Sequence, residues 1–159
     1  MTCRLLPVSE SLEFQAVNAT QPYAHFLPNR TVLRSIGWNL SNVNEKKINN
    51  YGYLSGIDYS SNSDKKKIVV IGDSYVEAFQ VKDSEALPGY LDSLLPKDFD
   101  VYGIGVSGSP LTQYLAFARF AKETFSPKLF VFVVIANDFD ESLLYYRNAP
   151  GLHYYDESF

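Results

Sequence analysis

The sequence predicts an α/β fold built on a parallel sheet, and two observations support this prediction. Three short apolar runs typical of strands alternate with two helical segments between residues 67 and 135. The last run, L-F-V-F-V-V-I, is apolar on both faces, as are strands in the middle of a covered parallel sheet. We therefore expect right-handed crossovers and a three-layer α/β/α sandwich of the doubly wound, flavodoxin-like kind.

The first half of this pattern contains a strand, a helix and a second strand. Lys67–Ile71 is rich in β-branched residues, which indicates a buried strand. Ser84–Leu95 is a predicted helix, with Ser84 as N-cap and Pro88 tolerated near its start. Its predicted buried face consists of residues at helical spacing: Leu87, Tyr90, Leu91, Leu94 and Leu95. Phe99–Ile104 is the second predicted strand.

The second half contains another helix and the third strand. Leu111–Thr124 is a predicted helix whose apolar face would contain Leu111, Tyr114, Leu115, Ala118 and Ala121. Leu129–Ile135 is the doubly apolar strand, which we place in the middle of the sheet with helices on both sides.

The composition shifts near residue 66. Residues 1–66 are rich in Asn, Ser, Tyr and Pro, and short strands are expected only at Thr31–Ile36 and Tyr51–Leu54. We interpret residues 1–66 as an extended N-terminal segment that packs on an α/β domain formed by residues 67–159.

Composition and charge exclude several classes of protein. The chain of 159 residues is 46% apolar and 20% charged, which is typical of one globular domain. A net charge of −4 without a basic stripe argues against nucleic-acid binding. No apolar run is long enough to span a membrane, and the first twelve residues lack the apolar stretch of a signal peptide. Cys3 is the only cysteine, so no internal disulfide is possible; the compartment and the oligomeric state stay open.

Three polar turns follow the three predicted strands. They are Gly72-Asp73-Ser74, Gly105-Val-Ser-Gly108 and Ala136-Asn137-Asp138, which we call the first, second and third turns. In doubly wound sheets, ligands bind beyond the carboxyl ends of the strands. We therefore expect the three turns to meet at one edge and to form the functional site.

Nucleotide binding is one interpretation of these turns. Gly103-Ile-Gly105-Val-Ser-Gly108 matches the G-x-G-x-x-G pattern, whose backbone N–H groups can approach a pyrophosphate. The motif follows the second strand of the unit instead of the first, and Asn137 stands where an acidic residue should hold the ribose. This interpretation is therefore the weaker one.

Acyl transfer is the other interpretation. It requires a nucleophile together with donors directed at the developing oxyanion. Ser74 offers its Oγ at the start of a helix, and its own N–H is one donor. Gly108 can present a second backbone N–H because no side chain blocks approach. Asn137 can supply a neutral side-chain amide as the third donor, and no metal or organic cofactor is implied.

The three turns also carry a resemblance to a known family. V-V-I-G-D-S-Y-V-E-A-F resembles the first block of the SGNH hydrolases, also called the GDSL esterase/lipase superfamily. The second turn, with Ser109-Pro110, resembles their second block, and Ile135-Ala-Asn-Asp138 resembles their third. Asn49-Asn-Tyr-Gly-Tyr53 is similar to a segment of bacterial members found with polysaccharide genes.

The resemblance implies roles for individual residues. Ser74 would be the nucleophile, and Gly108 and Asn137 would join the Ser74 N–H as oxyanion donors. Asp73 would shape the turn without taking part in the chemistry. The substrate would be a small-molecule or carbohydrate ester, such as an O-acetylated sugar. The same acyl-enzyme could pass its acyl group to a sugar hydroxyl, which would make the protein an O-acyltransferase.

The fourth block of the family, Asp-x-x-His, is not evident. His153 lies in an H-x-x-D order, the reverse of the family pattern, and His25 precedes the first block. Loop packing is the expected role of His153. We expect a chain that is incomplete at its C-terminal side, where the Asp and His would follow. The alternative is a member that has lost its base and serves as a non-catalytic binding domain.

Overall fold

A computed structural model of the chain describes residues 8–156, which form a mixed α/β fold. This range contains five strands and four α-helices, with a 3-10 turn at Asp83–Glu85 before the second helix. In chain order they are β1 (Arg30–Ile36), β2 (Asn42–Ile48), β3 (Lys66–Gly72), α1 (Ser74–Glu77), α2 (Leu87–Leu94), β4 (Phe99–Gly105), α3 (Leu111–Phe125), β5 (Leu129–Phe132) and α4 (Asn137–Asp140).

Strands β3, β4 and β5 form the predicted parallel sheet, in the order β4-β3-β5. β3 lies in the middle, and all of its residues after Lys66 are buried, which suits its β-branched run. Each face of β3 packs in a different apolar cluster. Val69 and Ile71 pack with residues of α3, whereas Ile68 and Val70 pack with residues of α1 and α2.

The prediction that Leu129–Ile135 lies in the middle of the sheet is wrong. β5 ends at Phe132, and no other strand of the described range pairs with its outer edge. Leu129 and Phe132 are 53% and 48% exposed. An apolar run indicates that a strand is suited to burial on both faces, but its neighbours depend on which other segments reach it.

The position and the buried face of α2 also differ from the prediction. The helix begins at Leu87, because residues 83–85 form the 3-10 turn and Ala86 is extended. The predicted face is wrong for three of its residues, since Leu87, Tyr90 and Leu94 are 41%, 56% and 65% exposed. Only the other two predicted residues pack against the sheet. Because α2 has only eight residues and lies beside the edge strand β4, only a narrow part of its surface contacts the sheet.

Helix α3 has the predicted position, and four of the five residues of its predicted apolar face pack on the core. It spans Leu111–Phe125, and Tyr114 and Ala121 are buried as expected. Leu115 is 48% exposed, and Phe117 and Phe120 are buried in its place. These rings face an apolar cluster that the N-terminal segment shares with the sheet, through Ala24, Phe26, Val32, Ile48, Tyr53, Leu54 and Tyr59.

The N-terminal segment contains an antiparallel hairpin of β1 and β2. β1 was expected, but the polar sequence of β2, N-V-N-E-K-K-I, gave no strand signal. The strand expected at Tyr51–Leu54 is wrong, because this stretch is a turn held by Asn49. The Oδ1 of Asn49 accepts hydrogen bonds from the N–H groups of Tyr51 at 2.9 Å and Tyr53 at 3.1 Å.

Side chains cover the outer edge of β4. The hydroxyl of Tyr59 donates to the Gly103 carbonyl at 2.7 Å and accepts from the Gly103 N–H at 2.9 Å. Asp92 Oδ1 accepts from the N–H of Val101 at 3.2 Å. These bonds satisfy backbone groups of β4 that would otherwise lie unpaired beneath the N-terminal segment.

Candidate functional site

The register of the sheet brings the three turns to its carboxyl edge. Gly72 pairs with Gly105, and Ile71 pairs with Phe132, so the three strands end together. The first turn follows β3 directly, the second begins at the last residue of β4, and the third comes shortly after β5. The sheet thus places all three predicted turns on one side of the molecule.

Ser74 is the first residue of α1, and its side chain is partly exposed. Asp73 is the N-cap of this helix, because its Oδ1 accepts a hydrogen bond from the N–H of Tyr75 at 3.0 Å. The other carboxylate oxygen of Asp73 lies 3.5 Å from Ser74 Oγ. Capping is the structural role expected for Asp73.

The close approach of the first and second turns depends on Gly105. A Cβ at this position would lie 2.5 Å from the N of Glu77, 2.8 Å from the Cβ of Val76 and 2.9 Å from the O of Asp73. No such close contact is tolerated between a real Cβ and backbone atoms, so only glycine lets α1 rest directly on the end of β4. This contact holds the Ser74 helix beside the second turn.

Gly108 lies in a tight turn formed by residues 106–109. The N–H of Ser109 donates to the carbonyl of Val106 at 3.1 Å, and Gly108 has φ +75°. Because Ser107 has no positive φ, the conformation is that of a type II turn, which favours glycine at its third position. Gly108 therefore supplies the positive φ that this turn requires.

Arg147 covers this glycine, a contact that the sequence analysis missed. A Cβ at Gly108 would lie 3.0 Å from the Cζ of Arg147. The guanidinium forms an ion pair with Glu141, and the two side chains are 37% and 27% exposed. Nothing in the local sequence indicates this contact, because 39 positions separate the two residues.

Glu77 is a second missed residue. Its side chain is almost fully buried, and its two oxygens accept hydrogen bonds from the N–H of Ser107 at 2.5 Å and the Oγ of Ser107 at 2.8 Å. Burial raises the pKa of Glu77, the two bonds from Ser107 oppose this rise, and the charge of Asp73 adds to it. An acidic residue one helical turn after Ser74 was the available signal in the sequence.

The third turn places Asn137 at the first position of α4, where its side chain is exposed. Asp138, the next residue, is 1% exposed. Its Oδ2 accepts hydrogen bonds from the hydroxyl of Tyr114 at 2.9 Å and the N–H of Ile135 at 2.8 Å. Burial raises the pKa of Asp138; the hydrogen bonds from Ile135 and Tyr114 oppose this rise, and the charges of Asp73 and Glu141 add to it.

The three candidate oxyanion donors have no protein acceptor in the described range. Across residues 8–156, no hydrogen bond is donated by the N–H of Ser74, the N–H of Gly108 or the side-chain amide of Asn137. Other donors of the turns, such as the N–H of Ser107, are paired. The site therefore presents unpaired donors at its edge.

Neither histidine hydrogen-bonds to Ser74. The ring of His25 is buried and contacts the carbonyl of Tyr23 through Nδ1 at 3.0 Å. His153 contacts the carbonyl of Pro22 through Nε2. His153 also lines a cavity of about 500 Å³ on the outer face of α3, to which none of the three turns contributes.

Between residues 8 and 156, no cluster of three or more His, Cys, Asp or Glu side chains has the arrangement of a metal site. In the same range, none of the helices combines the length and apolar character that crossing a membrane requires.

Comparison of the chain with protein-family models, with curated proteins and with solved structures returned no match.

Proposed function

We propose that the chain is a serine ester hydrolase of the SGNH type, with a three-layer α/β/α sandwich and Ser74 as nucleophile. The observation that supports this most is the set of unpaired donors at the carboxyl edge of the sheet. The N–H of Ser74, the N–H of Gly108 and the amide of Asn137 have no acceptor within residues 8–156. An oxyanion site needs such donors, oriented in advance by the fold.

The proposed reaction proceeds through an acyl-enzyme. Ser74 Oγ attacks the ester carbonyl carbon and gives its proton to a base, while the carbonyl oxygen becomes an oxyanion held by the three donors. Collapse of this intermediate breaks the bond to the alcohol, which leaves with the proton. Water then attacks the acyl group in the same way, releases the acid and restores the Ser74 hydroxyl.

The base is the part of the proposal that the described residues do not supply. Both histidines make their contacts away from Ser74, and Asp73 caps α1 through Oδ1 while its Oδ2 lies 3.5 Å from Ser74 Oγ. No histidine within residues 8–156 hydrogen-bonds to Ser74, so the proposed hydrolase needs another base. This makes an external base a useful tool in the test.

The substrate class follows from the acyl-enzyme and from the resemblance described above. A small-molecule or carbohydrate ester fits a partly exposed serine at the edge of the sheet. If a sugar hydroxyl replaces water in the second step, the same site becomes an O-acyltransferase. Analysis of the products in the presence of an acceptor sugar separates the two activities.

The geometry of the second turn argues against dinucleotide binding. Gly103 and Gly105 lie within strand β4, so only Gly108 of the G-x-G-x-x-G match is in the loop. The N–H of Ser107, a donor that a phosphate would need, is already taken by the carboxylate of Glu77. A buried carboxylate at this position would repel a pyrophosphate.

The test is covalent labelling of Ser74 by a fluorophosphonate probe, over a series of pH values, with and without added imidazole as external base. We expect labelling of the wild type that imidazole accelerates and that is absent in Ser74→Ala. Asn137→Ala should label about 10²–10³-fold more slowly, because one oxyanion donor is removed. Mass spectrometry of the labelled peptide identifies the modified residue.

Ser84→Ala is the matched control, because Ser84 is an exposed serine within the 3-10 turn before α2 and lies outside the three turns. It should label like the wild type. Equal labelling of wild type and Ser74→Ala at every pH, with and without imidazole, would contradict the proposal. That result would favour a non-catalytic binding domain.

A further inference from the structure

We infer that Glu77 is a positioning residue, which fixes the turn of Gly108 relative to Ser74. This inference rests on the proposed function, since it concerns the same oxyanion site. It assigns a role to a buried carboxylate that the proposed reaction does not itself use.

The carboxylate of Glu77 connects helix α1, which begins at Ser74 of the first turn, to the second turn. Ser74 and Glu77 are the first and last residues of α1, so they lie one helical turn apart. The two oxygens of Glu77 hold both the N–H and the Oγ of Ser107, at 2.5 Å and 2.8 Å. Ser107 precedes Gly108, so one side chain connects the nucleophile helix to the donor turn.

The two bonds fix the orientation of Ser107 more firmly than either would alone. One bond holds the peptide before its Cα, and the other holds its side chain. In the type II turn of residues 106–109, the peptide between Ser107 and Gly108 can in principle flip, which would reverse the direction of the Gly108 N–H. Holding Ser107 from two sides opposes that flip, and the Gly108 donor keeps its direction.

This arrangement costs stability, which argues that it serves more than packing. Glu77 is 5% exposed, and burial of a carboxylate disfavours its charged form. A shift of about 1 Å in a catalytic group can cost ~10²-fold in rate. A site that depends on the direction of one backbone N–H gains from a rigid clamp of this kind.

The experiment compares Glu77→Gln and Glu77→Ala in the labelling assay with added imidazole. Gln keeps the length of the side chain and one carbonyl acceptor for the Ser107 N–H, whereas Ala removes both acceptors. We expect Ser74 labelling to fall at least about 10-fold in Glu77→Ala and only a few-fold in Glu77→Gln. Ser107→Ala removes only the hydroxyl, and Ser74 labelling in this variant should also fall a few-fold. This variant provides the test if Glu77→Ala does not fold.

Urea unfolding of each variant provides the folded fraction under the assay conditions. If labelling falls only in proportion to the folded fraction, Glu77 has a structural role and the inference is overturned. Labelling of Glu77→Ala at the wild-type rate would overturn it as well. Partial recovery in Glu77→Gln at equal folded fraction supports positioning.

Amide hydrogen exchange separates failure of this inference from failure of the proposed function. If wild type and Ser74→Ala label equally, the hydrolase proposal fails, but the clamp can still be measured. We expect the Ser107 amide to exchange slowly in the wild type and at least about 10-fold faster in Glu77→Ala. The amides of β4 should stay protected in both. Unchanged protection of Ser107 in Glu77→Ala would show that Glu77 does not hold the turn.

Discussion

The hydroxyl of Tyr114 donates a 2.9 Å hydrogen bond to the buried carboxylate of Asp138, which ties helix α3 to the third turn. The same turn is tied to the start of α3 by Ser142. Its Oγ donates to the carbonyl of Asp138 at 2.6 Å and accepts from the N–H of Leu111 at 3.0 Å. The position of Asn137 therefore depends on contacts with a helix that precedes it by more than ten residues.

Replacing Tyr114 with Phe should destabilise the fold by about 1.5–3 kcal/mol. The change removes a hydrogen bond to a carboxylate that is 1% exposed and leaves that oxygen with the N–H of Ile135 alone. Urea unfolding at neutral pH measures the loss. Tyr75→Phe is the control, because Tyr75 is 65% exposed and should stay within about 0.5 kcal/mol of the wild type. An equal effect in both variants would contradict a role for the Tyr114 hydroxyl.

Tyr59→Phe should destabilise the fold by about 1–3 kcal/mol. The lost hydroxyl bridges the N–H and the carbonyl of Gly103, which are left unpaired beneath the N-terminal segment. Tyr51→Phe is a matched control. Tyr51 belongs to the same aromatic cluster, and its hydroxyl makes no hydrogen bond within the described range. The free energy of unfolding in urea should fall in the first variant and change little in the second.

Gly105→Ala should both destabilise the fold and impair the site. Its methyl group would lie 2.5 Å from the N of Glu77, so α1 must move away from β4. We expect a loss of about 1–3 kcal/mol, as for other overpacked sites, together with slower labelling of Ser74. Gly37→Ala provides the comparison. Gly37 has φ +95° in the β1–β2 turn but no contact closer than 3.4 Å, so it should lose stability without altering the labelling of the folded protein.

The pH dependence of stability should reveal the buried charge of Glu77. Burial raises its pKa above the ordinary value of 4.5; Asp73 adds to the rise, whereas the Ser107 bonds and the charge of Arg34 oppose it. The folded state then holds this proton more tightly than the unfolded chain does. Its contribution to stability is present in full below pH 4.5 and is lost as pH rises through the folded pKa.

The free energy of unfolding of the wild type should therefore fall relative to that of Glu77→Gln as pH rises from about 4 to 7. Asp98→Asn provides a comparison, because the stability difference between wild type and this variant should change with pH in the opposite direction. The hydrogen bond from Lys66, at 2.9 Å, holds the pKa of Asp98 below its ordinary value, so its contribution is present at neutral pH and is lost as pH falls. Urea midpoints across the pH series measure both differences. A flat or rising Glu77 difference would contradict burial of its charge.

The sequence was sufficient to predict the local elements that carry the site. The run Lys67–Ile71 and the polar residues after it identified strand β3 and the turn of Ser74, because β-branched residues and capping residues act through their own backbone. The strand before Gly108 was predicted for the same reason. These features depend on neighbours in the chain, so a linear pattern contains them.

Only the tertiary structure decided which surfaces meet. Four features depend on contacts between segments distant in sequence. They are the edge position of β5, the burial of Phe117 and Phe120 of α3 in the aromatic cluster, the hydrogen bonds from Ser107 to Glu77, and the guanidinium of Arg147 over Gly108. Whether an apolar or charged side chain is buried depends on what reaches it across space, and local propensity does not contain that information. For this protein, the sequence determined where the turns lie, and packing between remote segments determined what holds them.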